Sequence, residues 1–201
     1  MQSSANTFRS IYWRPLESST GSTLFLFWVV ANLLSGAFSS AIVKTPWSGF
    51  GVLVIPALIT ATMQWLVLRE QVLHADLWWL ASFLGFSIAL VVFDAVFGMG
   101  VGLWGEESWV TFILSCLAFG TVVGISQWLF LRGQMAQSGW WVLASIAGLS
   151  AAITVFAVIT RGFDVGVPGA VAAGAFGGVL YGSITGVVLA WLFRRHVPDW
   201  A

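Results

Sequence analysis

The sequence predicts an all-α integral membrane protein whose six transmembrane helices form three parallel two-helix hairpin repeats. Three observations predict it. The chain is 59% hydrophobic and 8% charged, with a mean hydropathy of +0.93, whereas soluble domains carry about 25% charged residues. Six apolar stretches are long enough to cross a bilayer, and one six-residue segment recurs 63 residues further along the chain. We therefore expect lipid to surround the helices.

The six apolar stretches define the predicted helices. At a rise of about 1.5 Å per residue, roughly 20 residues cross about 30 Å of hydrocarbon. The stretches are continuously apolar rather than alternating, which excludes barrel strands. They cover residues 22–43, 49–68, 77–97, 109–131, 140–160 and 165–193. Residues 1–201 then form one transmembrane domain, with a polar inner N-terminal segment over 1–21 and a short inner tail over 194–201.

The positive charges predict the orientation. Cytoplasmic loops of membrane proteins carry an excess of Lys and Arg. With the N-terminus inside, the outer segments hold Lys44 and Arg161, and the inner segments hold Arg9, Arg14, Arg69, Arg132, Arg194 and Arg195. We therefore expect both termini in the cytoplasm, and we place the protein in a bacterial inner membrane.

Two repeated motifs predict the symmetry. The segment Gln-Trp-Leu-Val-Leu-Arg at 64–69 returns at 127–132 with Phe in place of Val, and a diverged copy occupies 190–195. Each odd-numbered helix has a Trp followed four residues later by a polar residue, in the pairs Trp28–Asn32, Trp78–Ser82 and Trp141–Ser145. Repetition at a fixed period indicates one unit used several times. Parallel repeats are related by an axis along the membrane normal, so we expect a bundle with pseudo-threefold symmetry.

The even-numbered helices end in Trp-Leu-x-x-Arg, a pattern that predicts the inner membrane boundary. An indole at headgroup level and an Arg that reaches phosphate and water anchor a helix end; the anchors here are Arg69, Arg132 and Arg195. Nine of the thirteen Trp residues fall near this boundary and are expected to form an aromatic belt, namely Trp13, Trp65, Trp78, Trp79, Trp128, Trp140, Trp141, Trp191 and Trp200. In the alternative interpretation, a rim of Trp65, Trp128 and Trp191 binds a flat ring such as a quinone, a carotenoid end group or a chlorin.

Gln64 and Gln127 are equivalent polar residues about one turn inside the inner boundary. An amide in hydrocarbon needs a partner, so both are expected to face the bundle and form interhelical hydrogen bonds. The functional alternatives are a polar constriction of a pore, or a contact to a bound pigment or quinone. Ala190 occupies the third equivalent position, which argues against a symmetric filter.

Helix 6 carries a stripe of glycines spaced four residues apart, Gly174, Gly178, Gly182 and Gly186. Such a stripe lets another helix backbone approach closely. We expect it to pack against the rest of the bundle, and the alternative is packing against a partner protein.

Asp94 is the only acidic residue well within a predicted span. An ionisable residue inside a membrane is a candidate functional site. Asp94 is close to the outer end of helix 3, and Lys44 and Arg161 also lie on the outer side. A structural ion pair or a water-exposed position is expected, and proton or cation handling is the alternative.

The sequence contains no pattern typical of catalysis, metal binding or nucleic-acid binding. The formal net charge is zero, so no basic surface for nucleic acid is predicted. His74 and His196 lack metal-ligand spacing to a second His or Cys, and Cys116 is the single cysteine. We expect no enzyme activity and no metal.

The repeated Gln-Trp-Leu-x-Leu-Arg and Trp-Trp-x-Leu-Ala-Ser elements resemble those of small multi-pass bacterial membrane proteins of unassigned function, over helices 2 to 5. The resemblance implies the helical architecture and favours an accessory role in a photosynthetic or respiratory complex. We expect a non-catalytic accessory or scaffold subunit that packs against other integral membrane subunits and holds lipid or pigment. The alternatives are a small-solute or ion transporter along the pseudo-threefold axis, and a carrier of a hydrophobic cofactor such as a quinone, carotenoid or chlorin. The sequence requires none of these cofactors.

Overall fold

The computed structural model describes residues 20–43, 50–69, 71–72, 74–104, 108–135, 137–163 and 165–196. This part of the chain is helical and contains no strand. The six helices are α1 (Thr20–Val43), α2 (Phe50–Leu68), α3 (Ala75–Trp104), α4 (Trp109–Leu131), α5 (Trp140–Gly162) and α6 (Val167–His196). Lys44 and most of the N-terminal segment lie outside the described residues.

Five of the helices are long and apolar enough to cross a membrane, and the prediction of a multi-pass integral membrane protein is confirmed at that level. The described apolar part of α2, Val54–Leu68, is shorter, so a sixth crossing stays a prediction. The outward faces of the helices are themselves apolar: Leu26 is 61% exposed and Phe27 is 60% exposed. Because hydrocarbon solvates such side chains better than water does, these faces suit contact with lipid.

Each helix packs against the next along the chain, and α6 returns to pack against α1, so the six helices close a ring. The α1–α6 contact is made by the glycine stripe. A methyl group added to Gly178 would lie 2.7 Å from the carbonyl carbon of Asn32, and one added to Gly182 would lie 3.0 Å from the Cα of Val29. The stripe therefore lies inside the bundle, where only glycine leaves room for the neighbouring backbone.

Two apolar clusters fill the interior at different depths. One surrounds Trp28, Trp78 and Trp141 at the end where α2, α4 and α6 end, which the sequence predicts to be the inner end. The other includes Phe86, Phe119 and Tyr181 and lies deeper in the bundle. Buried polar side chains, among them Gln64 and Gln127, lie between the two clusters.

Candidate functional site

Three tryptophans from alternate helices meet in the interior. Trp28, Trp78 and Trp141 are all fully buried, and their ring centroids lie 6.0, 5.9 and 5.4 Å apart in edge-to-face pairs. This Trp triad corrects the prediction of an interfacial belt for Trp78 and Trp141. The physical reason is that edge-to-face indoles pack well against one another, so the two side chains face the bundle rather than the headgroups.

A polar layer of four side chains, Asn32, Gln64, Ser82 and Gln127, joins α1 to α4. Gln127 Nε2 donates to Gln64 Oε1 at 3.1 Å and to Ser82 Oγ at 3.0 Å. Gln64 Nε2 donates to Asn32 Oδ1 at 3.0 Å, and Asn32 Nδ2 donates to the Trp28 carbonyl at 2.8 Å. Both Gln side chains are fully buried, and interhelical hydrogen bonds satisfy much of their polarity.

The three indoles of the Trp triad differ in the hydrogen bonds that they donate. Trp141 Nε1 donates to Gln127 Oε1 at 2.9 Å, and Trp28 Nε1 donates to Thr185 Oγ1 at 2.9 Å. Trp78 Nε1 is buried and has no hydrogen-bond partner. A buried donor without a partner costs free energy, and Trp78 is the one member of the triad whose indole N–H is not satisfied.

Tyr181 brings a further polar group to the same place. Its ring packs against the backbone position of Gly148, where an added methyl group would lie 2.9 Å from the ring. The hydroxyl lies beside Gln64, Gln127 and Ser145, yet it meets none of them in hydrogen-bond geometry, and the Ser145 hydroxyl is also without a partner. Sequence reasoning missed Tyr181, although a Tyr in the middle of an apolar, glycine-rich helix was a usable signal.

An axial cavity of about 200 Å³ is lined by residues from all six helices and ends on this layer at Asn32 and Tyr181. One wall, from α3, α4 and α5, is aromatic and aliphatic and consists mainly of Phe86, Leu90, Phe119, Leu149, Ile153 and Phe156. The facing wall carries hydroxyls from α1 and α2, on Ser35, Ser39, Ser40 and Thr60, and is completed by the glycines of α6. The lining includes no charged side chain. Such a site suits an uncharged ligand that is mostly apolar.

Trp65, Trp128 and Trp191 do not line the axial cavity. Trp65 and Trp191 are partly buried against the cluster around the Trp triad, and Trp128 is also partly buried. Each indole also lies beneath the guanidinium four residues later, at 5.6, 5.6 and 4.6 Å for Arg69, Arg132 and Arg195. This local cation–π contact is the same in all three copies of the repeated segment.

The predicted outer polar cluster is not assembled by the described residues. Asp94 is exposed on α3 and forms no ion pair with Arg161. Arg161 is also exposed, and its guanidinium lies 5.7 Å from the ring centroid of Phe112. Both residues line a second hollow of about 380 Å³ between α3, α4 and α5. Lys44, the third member, lies outside the described residues. Within the described part of the chain, no group of His, Cys, Asp and Glu has the arrangement of a metal site.

No known protein family, curated protein or solved structure matches this chain. The cavity and the polar layer are therefore the features of the molecule that indicate a function.

Proposed function

We propose that the protein is a non-catalytic integral membrane protein that holds one small neutral ligand in the axial cavity. The observation that carries the proposal is the position of the cavity, which is lined by all six helices and ends on the polar layer. Space between the helices that no side chain fills forfeits packing contacts. A ligand that fills it restores them.

The size and lining of the cavity indicate the ligand class. A dry apolar cavity of about 150 Å³ binds benzene, so the 200 Å³ here suits one substituted ring. A whole carotenoid or chlorin is much larger than one ring. Of the ligands considered from the sequence, a quinone ring fits best, because its body is apolar and its carbonyl oxygens accept hydrogen bonds.

The finer architecture is part of the same proposal. We infer that the six helices are three copies of a two-helix unit around a pseudo-threefold axis. The support is the Trp triad, which brings together Trp28, Trp78 and Trp141 from equivalent positions of the repeat. We also infer an accessory subunit of a larger complex in a bacterial inner membrane, with both termini in the cytoplasm. An apolar outer surface, where Phe27 and Val187 are each 60% exposed, suits lipid and partner helices alike.

The test fills the cavity and measures the bound ligand. Ala152 lines the cavity on α5, whereas Ala147 on the same helix faces outward. We expect protein extracted gently from its native membrane to carry a small apolar molecule, identified by mass spectrometry of the solvent extract. Ala152→Phe should lose that molecule and Ala147→Phe should keep it. Equal ligand content in the two variants, or no ligand in the unmodified protein, would contradict the proposal.

A transporter is the second candidate function, favoured by the axial position of the cavity. Its route would have to pass the polar layer and the Trp triad, which close the end of the bundle that we infer to be the inner one. Ser35→Cys and Ser82→Cys in a Cys116→Ala background separate the two functions. If the protein is a transporter, a water-soluble thiol reagent added from the inner side should label the Ser82→Cys variant. A binding protein leaves that position protected.

A further inference from the structure

The second hollow, named here the lateral hollow, lies between α3, α4 and α5 at the end of the bundle where α4 begins. α4 and α5 have 23 residues each, which span about 35 Å at a rise of about 1.5 Å per residue. The hydrocarbon of a bilayer is about 30 Å thick. Trp109 is the first residue of α4 and Arg161 is the last but one of α5. In helices that cross the bilayer, both residues therefore lie at the depth of the lipid headgroups.

The inside of the lateral hollow is mostly apolar, and its rim faces outward. Phe97, Phe112 and Ala157 contribute to the lining. Trp109 and Val158, also in the lining, are 61% and 50% exposed, on the outer surface that suits lipid. The volume of about 380 Å³ lies within the range of about 300–1,000 Å³ that ligand pockets occupy. The lateral hollow is therefore open to a molecule that arrives from the bilayer.

Arg161 brings a positive charge to this lining, and it is the only charged side chain among the described residues there. Its guanidinium lies over the ring of Phe112, and no hydrogen bond or ion pair from the described residues engages it. A guanidinium has five N–H donors at its edge, which the ring beneath it does not use. Ser108, in the same lining, makes no side-chain hydrogen bond to the start of α4, and the start of a helix attracts negative charge. The polar side of the lateral hollow is thus suited to an anion.

Separately from the axial ligand, we propose that the lateral hollow binds one phospholipid, whose phosphate contacts the Arg161 guanidinium and whose glycerol and upper acyl chains cover the apolar lining. A guanidinium and a phosphate form paired charge-assisted hydrogen bonds. A water-soluble anion would contact Arg161 but would leave the apolar lining uncovered. An uncharged lipid would cover the lining but would leave Arg161 without a counter-charge. A phospholipid matches both parts of the site.

The experiment compares dioleoyl phosphatidylglycerol with dioleoylglycerol, which has the same acyl chains and lacks the phosphate. Native mass spectrometry of the full-length protein in mild detergent counts the bound molecules as each lipid is titrated. We expect Arg161→Gln to weaken the binding of one phosphatidylglycerol molecule about tenfold, the change expected for the loss of a charge-assisted hydrogen bond at a partly exposed site. The binding of dioleoylglycerol should stay unchanged.

A second variant tests whether the lipid lies in the lateral hollow. Ala157→Phe fills it, and should remove the same phosphatidylglycerol molecule that Arg161→Gln weakens, so the double variant should lose one molecule rather than two. Ala147→Phe on the outward face of the same helix is the matched control and should keep that molecule. If Arg161→Gln weakens phosphatidylglycerol binding and Ala157→Phe does not, Arg161 is a boundary anchor like Arg132 and the lateral hollow is not a lipid site.

Two further outcomes would overturn the inference. Displacement of phosphatidylglycerol by excess inorganic phosphate would mean that the site recognises the phosphate alone and not a lipid. If Arg161→Gln melts at a lower temperature without lipid and keeps its phosphatidylglycerol, Arg161 has a structural role, for example with Glu106, Glu107 or Asp164, which lie outside the described residues. The ligand content of the axial cavity, tested with Ala152→Phe, is a separate measurement, so the inference and the proposed function can fail independently.

Discussion

Replacement of Gly178 by Ala tests the close approach of α1 and α6. The added methyl group would lie 2.7 Å from the carbonyl carbon of Asn32 and 3.0 Å from the Cα of Leu33. Carbon atoms pack best at about 3.5–4.0 Å, and both neighbours are backbone atoms that cannot rotate away. The two helices must therefore separate by about 1 Å, which forfeits a quarter to a half of each close contact along the seam.

The expected magnitude follows from two opposing effects. Overpacking of a well-packed interior costs about 1–3 kcal/mol, and separation of the seam adds to this cost. The helix propensity of Ala offsets about 1 kcal/mol. We expect Gly178→Ala to lower the free energy of unfolding by about 2 kcal/mol, which lowers the melting temperature of a chain of this size by about 4–8 °C.

The single cysteine supplies the assay. Cys116 is 1% exposed, so a maleimide should label it only after the bundle opens, and labelling during a temperature ramp in detergent gives the melting curve. Gly162→Ala is the matched control, because an added methyl group there has nothing within 4 Å. A Gly178→Ala variant that melts at or above the Gly162→Ala variant would refute the close approach of α1 and α6.

Two further predictions use the same assay. Trp141→Phe leaves the buried side-chain oxygen of Gln127 without its indole donor, whereas Trp78→Phe removes an indole N–H that has no partner. We therefore expect Trp141→Phe to lower the free energy of unfolding by about 1–3 kcal/mol more than Trp78→Phe does. Equal losses in the two variants would contradict this difference between the two indoles. Arg132→Gln removes a cation–π contact at 5.6 Å from Trp128, worth about 0.5–1 kcal/mol at an exposed position. A larger loss would mean that Arg132 does more than anchor the helix end.

Helix ends were predictable where a charge marks them. The predicted and observed ends of α2 and α4 coincide at Leu68 and Leu131, because the Arg that follows each Leu is disfavoured in hydrocarbon. The prediction for α3 stopped at residue 97, and the helix runs to Trp104. Its last turns contain glycines and apolar residues but neither a charge nor a proline, so the sequence has no feature that ends the helix earlier.

The Trp triad was not predictable from hydropathy, because an indole suits a membrane interface and a bundle interior equally well. Successive residues of a helix point about 100° apart, so a Trp-Trp pair can bury only one side chain. Trp78 is buried beside a partly exposed Trp79, and Trp141 is buried beside Trp140, which is 57% exposed. The four-residue spacing to Ser82 and Ser145 was the useful signal, since those serines are buried on the same face.

The existence of the polar layer was predictable from the sequence, but the direction of its hydrogen bonds was not. The two repeated Gln residues had to find partners inside the bundle, but only the structure gives the order of donation, from the Trp141 indole to Gln127, then Gln64, then Asn32. The third copy has Ala190, which brings no amide, so this chain of donors is open rather than cyclic. Gln64 Oε1 already accepts from two donors, and the Trp78 indole N–H has no acceptor. The chain of donors continues from Asn32 to the Trp28 carbonyl, and Asn32 is also the member of the polar layer that lines the axial cavity, so the layer and the cavity meet at this residue.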